Sequence, residues 1–387
     1  MNNDKSLRDF QDASQRRKYL EENLTGSLEN ISQFTFTEEQ VQGKNIENLV
    51  GAVQIPLGVA GPLSIHHQHS AISNHYIPLA TTEGALVASV SRGCKAVSER
   101  GVEIQIHNVG VTRAPVFKTK GITQNVEVKK WLGENYDEIA RICESSSSHL
   151  KLKKVDSNFS GRNLFIRFHF DSEEAMGMNM ATIAVQKVIP FIEEETGIEC
   201  ISISGNYDVD KKPSWLNFIT GRGKKVWAEA IISKEVVADV LKTTPEKIID
   251  LVYRKILVGG VMSGSMSFNA HYSNIIAAIF AATGQDLGQV VESSLGITSA
   301  ELLDSGELYF SIHLPSLMIG TVGGGTNLPT QKEALSITNT KSVKELAGLI
   351  AGAVLAGELS LLASQAEGSL AKAHIDLARK GETKHIE

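Results

Sequence analysis

The stretch LKLKKVDSNFSGRNLFIRFHF, Leu150–Phe170, holds two runs of alternating apolar and polar side chains, Leu150–Asp156 and Asn163–Phe170, around a Ser-Asn-Phe-Ser-Gly-Arg turn. Period two marks strands, and the turn residues between them make a hairpin. On its N-terminal side, QNVEVKKWLGENYDEIARICE (Gln124–Glu144) spaces Val128, Trp131, Leu132, Ile139 and Ile142 as a helix, and TRAPVFK (Thr112–Lys118) before it reads as a short strand. On its C-terminal side, DSEEAMGMNM starts a helix, with Asp171 and Glu174 spaced as an acidic capping box. That helix runs to about Thr196, and IECISIS (Ile198–Ser204) closes the pattern. The order βαββαβ is the split-βαβ, ferredoxin-like unit.

The fold class expected is therefore α+β. A ferredoxin-like domain at 113–203 is inserted in a large α/β domain made of 46–112 and 204–387, behind a small helical N-terminal region at 1–45. The large part carries helical patterns near 78–98, 266–283 and 343–375 and strand edges in ELYFSIHLPSLMIGTV (Glu307–Val322).

Composition bounds the function. The chain has 387 residues, is 42% hydrophobic and 21% charged, and has a net charge of −6. That is enough for several domains, and the acidic balance argues against nucleic acid as a partner. Cys94, Cys143 and Cys200 lie far apart without CxxC spacing, which suits a reduced, cytoplasmic protein and suggests no zinc site. The N-terminal residues MNNDKSLRDF lack an apolar signal core. Leu346–Ala366 is nearly long enough to cross a membrane, yet it is built from Ala and Gly and carries Glu358; Gly348, Gly352 and Ala356 at spacing four suit close helix packing in a soluble core.

Several stretches could carry chemistry, each beside a structural reading. SGNYDVDKKP (Ser204–Pro213) sets Lys211 and Lys212 in a loop that cannot be helix, because Pro213 drives Lys212 to an extended backbone. Two lysines there are a solvated turn or a fixed pair of cations. GTVGGGTNLP (Gly320–Pro329), with Gly323 and Gly324, is a tight turn or a loop that brings backbone N–H groups to a ligand. Met176, Gly177, Met178 and Asn179 fall in a first helical turn, where an anion is favoured, or form a methionine-lined core contact. In ATTEGALVAS, Thr82 caps a helix and Glu83 stands in its first turn, as a helix-dipole acid or a catalytic one. Asp286 in GQDLGQ is placed similarly. His66, His67, His69 and His75 read as a surface hairpin, so no metal is expected.

These stretches occur together in one order. ENLVGAVQIPLGVAGPL, TTEGALVAS, SRGCKA, TRAPV, SGRNLFIRF, AMGMNM, SGNY…DKKP, NAHYSNI, GQD, GTVGGGTNLP and AGELSLLA closely resemble the 3-hydroxy-3-methylglutaryl-CoA (HMG-CoA) reductase family, in its class I soluble catalytic region, over about residues 15–380. The resemblance implies reduction of HMG-CoA to mevalonate and free CoA with two NAD(P)H, in a homodimer or tetramer with active sites at the dimer interface. It implies Lys211 as the cation on the thioester oxygen, Lys212 on the HMG carboxylate, Glu83 as the acid for the aldehyde-stage oxygen, and Asp286 bonded to both Glu83 and Lys211. It places Ser204, Asp210, Arg113, Lys255 and Asn274 around HMG, Ser89, Arg92 and His271 near CoA, and Ser147, Glu174, Met176, Gly177, Met178, Asn179, Asn206, Gly323 and Gly324 around the cofactor.

Three departures stand out. Glu174 replaces the family's aspartate. Ser147-Ser148 replaces a Ser-Arg pair that holds the NADP 2′-phosphate, so the cofactor is NADPH or NADH, with His149 or Lys151 as substitutes for the arginine. GSLAKAH replaces GHLVKSH, which puts Ser369 at the position read as the family's thiolate-protonating histidine. An altered acyl-CoA chemistry and a non-catalytic acyl-CoA-binding homologue are the alternatives.

Overall fold

The structure is a computed structural model; it describes residues 6–23, 27–66 and 73–368. Ten strands form one open sheet system: β1 Leu57–His66, β2 Ser73–Ala80, β3 Val102–Arg113, β4 Val116–Lys118, β5 Lys151–Ser160, β6 Asn163–Asp171, β7 Glu199–Ser202, β8 Gly223–Ile232, β9 Ile297–Leu302 and β10 Leu308–Leu317. The helices that position the site are α1 Ala13–Asn23, α2 Leu86–Val97, α3 Ile122–Glu134, α4 Tyr136–Glu144, α5 Met178–Thr196, α6 Tyr272–Thr283 and α7 Val343–Glu367.

The predicted βαββαβ order is present as β4, α3 with α4, β5, β6, α5 and β7. β6 pairs antiparallel with β5 and β4, and β4 with β7, which is the ferredoxin-like strand order. The hairpin register, Ser160↔Asn163 through Lys151↔Asp171, follows the alternation read from the sequence. Phe117, Leu164, Ile166, Phe168, Phe170, Val185 and Ile192 are buried in one core between this sheet and its helices.

The sheet order of the large part, which the sequence left open, turns on β3. Its first two thirds pair with β8 (Glu103↔Glu229 to Gly110↔Gly223), and its last residues cross to β6 (Val111↔Phe170 to Arg113↔Phe168). One strand thus runs from the large sheet into the inserted one. β10 joins β8 to β9, and β1 joins β3 in parallel. A second core under this sheet is built on α7, whose residues Leu346–Leu359 are all buried. α7 is long and apolar enough to cross a membrane, but 94% of its apolar window is buried inside the fold. Its apolar surface is spent on the core. A third, small cluster of Ala13, Val41 and Leu49 anchors the N-terminal segment.

Several expectations are corrected. TRAPVFK is two strands, because the chain breaks at Ala114 and Pro115. The 124–144 helix is two helices, parted at Asn135 (φ −109°, ψ 18°). Asp171 and Glu174 make no capping box: Asp171 ends β6, and α5 begins at Met178 behind Gly177, in left-handed backbone at φ 92°. Glu83 precedes its helix instead of opening it, since α2 starts at Leu86 after Ala85. The 78–98 pattern is β2 plus α2, and the 266–283 helix begins only at Tyr272. His67, His69 and Ser369 lie outside the described residues.

Candidate active site

The lysine loop is held in an unfavourable backbone. Asn206, Val209 and Lys211 adopt φ of 61°, 53° and 57°. Left-handed backbone costs a non-glycine residue about 1–2 kcal/mol, and it is especially rare for β-branched valine. Such a loop persists only when its surroundings over-determine it. Here they do. Lys211 Nζ pairs with Asp286 Oδ2 at 2.7 Å, and Lys211 N–H donates to Glu292 Oε1 at 2.9 Å. Arg222, fully buried, pairs with Glu292 at 2.5 Å and with Asp210 at 3.0 Å. Gln289 Nε2 donates to Asp210 Oδ1 (2.8 Å), and Asn217 Nδ2 donates to Val209 O (3.1 Å) and Glu292 Oε2 (3.3 Å). Burial pushes the Glu292 carboxyl up, against the pull of Arg222. Burial also acts upward on Asp210, but Arg222, Gln289 and Lys211 outweigh it and hold that carboxyl below its ordinary range.

The same loop reaches the inserted domain. Asp208, fully buried, accepts from Arg113 Nη1 at 2.9 Å and from Ser204 Oγ at 3.3 Å. Arg113 also donates to Thr182 Oγ1 on α5 at 2.7 and 3.1 Å. Arg222 Nη2 lies 2.7 Å from Met178 Sδ. Lys212 is exposed, and among the described residues its ammonium reaches only Asp210 O (3.2 Å).

The N-terminus of α5 and the glycine loop lie side by side. Ala175 bridges Val322, and Thr321 N–H donates to Glu174 O at 2.8 Å. A Cβ on Gly320 would stand 2.5 Å from Met176 N, so only glycine permits this approach. Glu174 Oε2 accepts from Thr321 Oγ1 (2.8 Å) and from Val343 N–H (2.6 Å), which ties this corner to the start of α7. Gly323 and Gly324 (φ 83° and 53°) use glycine for conformation, with open space where side chains would be. Asn179 and Asn206 are exposed. Ser147 Oγ accepts from His149 N–H and contacts Met180 Sδ. His149 and Lys151 are engaged by Glu173 (2.8 Å) and Glu144 (3.0 Å).

A second group forms elsewhere. Asn274 Nδ2 donates to Glu83 Oε2 at 2.7 Å. Glu358, fully buried in α7, accepts from the N–H groups of Ala270 (2.6 Å) and His271 (3.1 Å) and from Thr298 Oγ1 (2.9 Å), so it fixes the turn that leads into Asn274. Burial pushes the Glu358 carboxyl up. Ser89 Oγ meets Ser360 Oγ at 3.0 Å, and Arg92 holds Ser360 and Ser364. Lys255, in a widened π turn at Val252–Val258, donates to Gln365 at 2.6 Å.

The resemblance implied that Asp286 bonds both Glu83 and Lys211. Within one chain it bonds Lys211 and Gly288 N–H, and among the described residues nothing joins it to Glu83. Asn274 sits at the start of α6 and Asp286 three residues past its end. The ten α6 residues from Asn274 to Thr283 rise about 14 Å along the helix axis. Arg222, Glu292, Asn217, Gln289, Asp208 and Glu358 were missed in the sequence. The one local signal was Gly221-Arg222-Gly223, whose glycines have φ of 82° and 67°.

Comparison with known proteins agrees. The profile of the family hydroxymethylglutaryl-coenzyme A reductase matches residues 12–379. The chain is 50% identical over 375 residues to 3-hydroxy-3-methylglutaryl-coenzyme A reductase of Pyrococcus abyssi, covering 94% of this chain and 92% of that one. It is 48% identical to the enzyme of the same name from Methanocaldococcus jannaschii, with the same coverage. The fold matches a class II 3-hydroxy-3-methylglutaryl-CoA reductase from Streptococcus pneumoniae, solved bound to NADPH, with a TM-score of 0.69 at 19% identity over 92% of this chain and 97% of that one. The chain therefore belongs to the hydroxymethylglutaryl-coenzyme A reductase family.

Proposed function

We propose that this enzyme reduces HMG-CoA to mevalonate and free CoA with two NADPH. It is an oxidoreductase of the mevalonate route to isoprenoids. The observation that carries the mechanism is the Lys211–Asp286 pair on a strained, charge-clamped loop beside α5. Hydride addition to the thioester carbonyl leaves negative charge on its oxygen, and a fixed ammonium there is a strong lever. Collapse expels the CoA thiolate and yields mevaldehyde. A second hydride gives an alkoxide, which takes a proton from Glu83. Ser204, Asp210, Lys212, Arg113, Lys255 and Asn274 hold the HMG group, and Ser89, Arg92 and His271 flank CoA. Ser147, Glu174, Met176, Gly177, Met178, Asn179, Asn206, Gly323 and Gly324 surround the dinucleotide, with NADH as the alternative donor. The free N–H groups at the start of the 19-residue helix α5 suit its phosphates.

The active unit on this reading is a homodimer or tetramer of the class I type, working in the cytoplasm. The Lys211–Asp286 half of one copy meets the Glu83–Asn274 half of another. The separation of the halves across α6 supports this, as do the exposed apolar side chains Val53 (85% exposed), Ile55, Leu57 and Val59. The proposed domain division at 45/46, 112/113 and 203/204 is supported in outline by three hydrophobic clusters among the described residues, although Leu49 packs in the small N-terminal cluster and Val111 and Met318 pack in that of the inserted domain.

The tail supplies the proton for the thiolate. Ser369 stands where the resemblance placed a histidine; His374, five residues on, carries an imidazole, the side-chain type that exchanges protons near neutrality. The intact half-sites favour His374 as the donor, because serine gives up no proton near neutrality. The test is CoA release and NADPH oxidation by purified wild type, His374→Gln and Ser369→His, with HMG-CoA and with mevaldehyde. If His374 is the donor, His374→Gln slows thioester turnover ~10²–10⁴-fold with little effect on mevaldehyde, and Ser369→His gains nothing. A gain by Ser369→His with no loss in His374→Gln makes Ser369 the lost donor position. Inert wild type with both substrates leaves the non-catalytic homologue.

A further inference from the structure

We propose that Glu292, clamped by Arg222, is a positioning residue that aims the Lys211 ammonium by holding the lysine's own backbone. This rests on the reductase reading of Lys211. Glu292 Oε1 accepts the Lys211 N–H at 2.9 Å and Arg222 at 2.5 Å. Both side chains are completely buried, and they come from segments 70 residues apart. Arg222 extends one hand to Asp210, the residue before Lys211, and Asn217 joins Val209 O to the other oxygen of Glu292. So Val209, Asp210 and Lys211, two of them in left-handed backbone, each have a direct bond to this network.

A lysine side chain has four rotatable carbons and no preferred aim of its own. Its ammonium reaches Asp286 from wherever its Cα is fixed, and that Cα is fixed by the N–H bond to Glu292. Without that acceptor the residue is free to leave φ 57° for an ordinary backbone, which swings the side chain away. A misplacement of about 1 Å at a reacting centre costs ~10²-fold. Among the described residues no hydrogen bond or ion pair joins Glu292 to Asp286 or to Lys211 Nζ, so Glu292 acts on the ammonium through the Lys211 backbone and through the Arg222–Asp210 pair that flanks it.

The experiment uses the full-length protein with four variants: Glu292→Gln, Lys211→Ala, Glu292→Gln/Lys211→Ala, and Arg222→Met/Glu292→Leu. Glu292→Gln lowers kcat ~10–100-fold with KM for HMG-CoA and NADPH within about threefold. In the Lys211→Ala background the same change costs less than twofold more, because there is no ammonium left to aim. The apolar pair melts above Glu292→Gln, since it removes both buried charges together instead of leaving Arg222 without its carboxylate, yet it keeps the kcat defect. Amide hydrogen exchange of the 206–214 segment, which needs no substrate, speeds at Lys211 in Glu292→Gln. Additive kcat losses, full kcat in the apolar pair, or unchanged exchange would each overturn the proposal. Inert wild type with accelerated exchange would instead strike the reductase reading and leave the positioning role standing.

Discussion

Replacing Gly93 by alanine adds one methyl to α2 where its backbone touches α7. The new Cβ would lie 1.8 Å from Ala356 O, 2.4 Å from its carbonyl carbon and 2.9 Å from its Cα, whereas ordinary contact begins at 3.4 Å. The helices must separate by about 1.6 Å at this point, because all three atoms are backbone and none can rotate aside. Overpacking costs ~1–3 kcal/mol when side chains can give way; a backbone clash in a fully buried interface should reach or pass the top of that range. For a domain of this size that lowers the melting temperature by roughly 5–10 °C. The shift also pulls Ser89 and Arg92 off Ser360, so KM for HMG-CoA should rise more than kcat falls. Differential scanning calorimetry with steady-state kinetics reads both. Gly133→Ala is the control: it lies inside α3 with open space at its Cβ, and should stabilise by ~0.5–1 kcal/mol. A Gly93→Ala protein that melts with wild type would refute the account of how α2 and α7 pack.

Cofactor choice should be weak: the family's arginine is absent, and His149 and Lys151 are already engaged by Glu173 and Glu144. One charged bond to a phosphate is worth ~1.5–3 kcal/mol, so a kcat/KM ratio of NADPH over NADH above ~10³ would contradict this. Acid should destabilise the fold through His313. It is stacked on Trp227 at 5.1 Å, and burial, then Lys225, lower its pKa to about 4. The unfolded chain therefore binds the extra proton between pH ~6.5 and about 4, and stability present above that window is lost as pH falls through it. His313→Gln should flatten the decline of melting temperature with pH; an unchanged slope would count against it.

The inserted domain was legible because its hairpin alternates cleanly and its core is made by neighbours in sequence. The helix break at Asn135 was not, since apolar spacing continues across it. Glu83 was misplaced by a turn because Thr82 looks like a cap, while the chain reaches helix only after left-handed Ala85. The motif residues Lys211, Asp286, Glu83 and Asn274 were found by resemblance, and the structure pairs them two by two. What holds them was invisible. Arg222 and Glu292 are buried charges joined across 70 residues, and such a pair leaves no periodic trace in either segment. Glu358 hid inside an apolar helix, where its charge read only as an argument against a membrane span.

On this reading Lys211 is the cation at the carbonyl oxygen in two successive hydride transfers. The most direct measurement follows NADPH consumed and CoA released from HMG-CoA by wild type and Lys211→Ala, with mevaldehyde as a second substrate. Wild type should oxidise two NADPH for each CoA released, and Lys211→Ala should lose at least ~10²–10³ in kcat on both substrates while melting as wild type does, because the lysine side chain is 44% exposed. A Lys211→Ala enzyme within tenfold of wild type on either substrate would contradict the account.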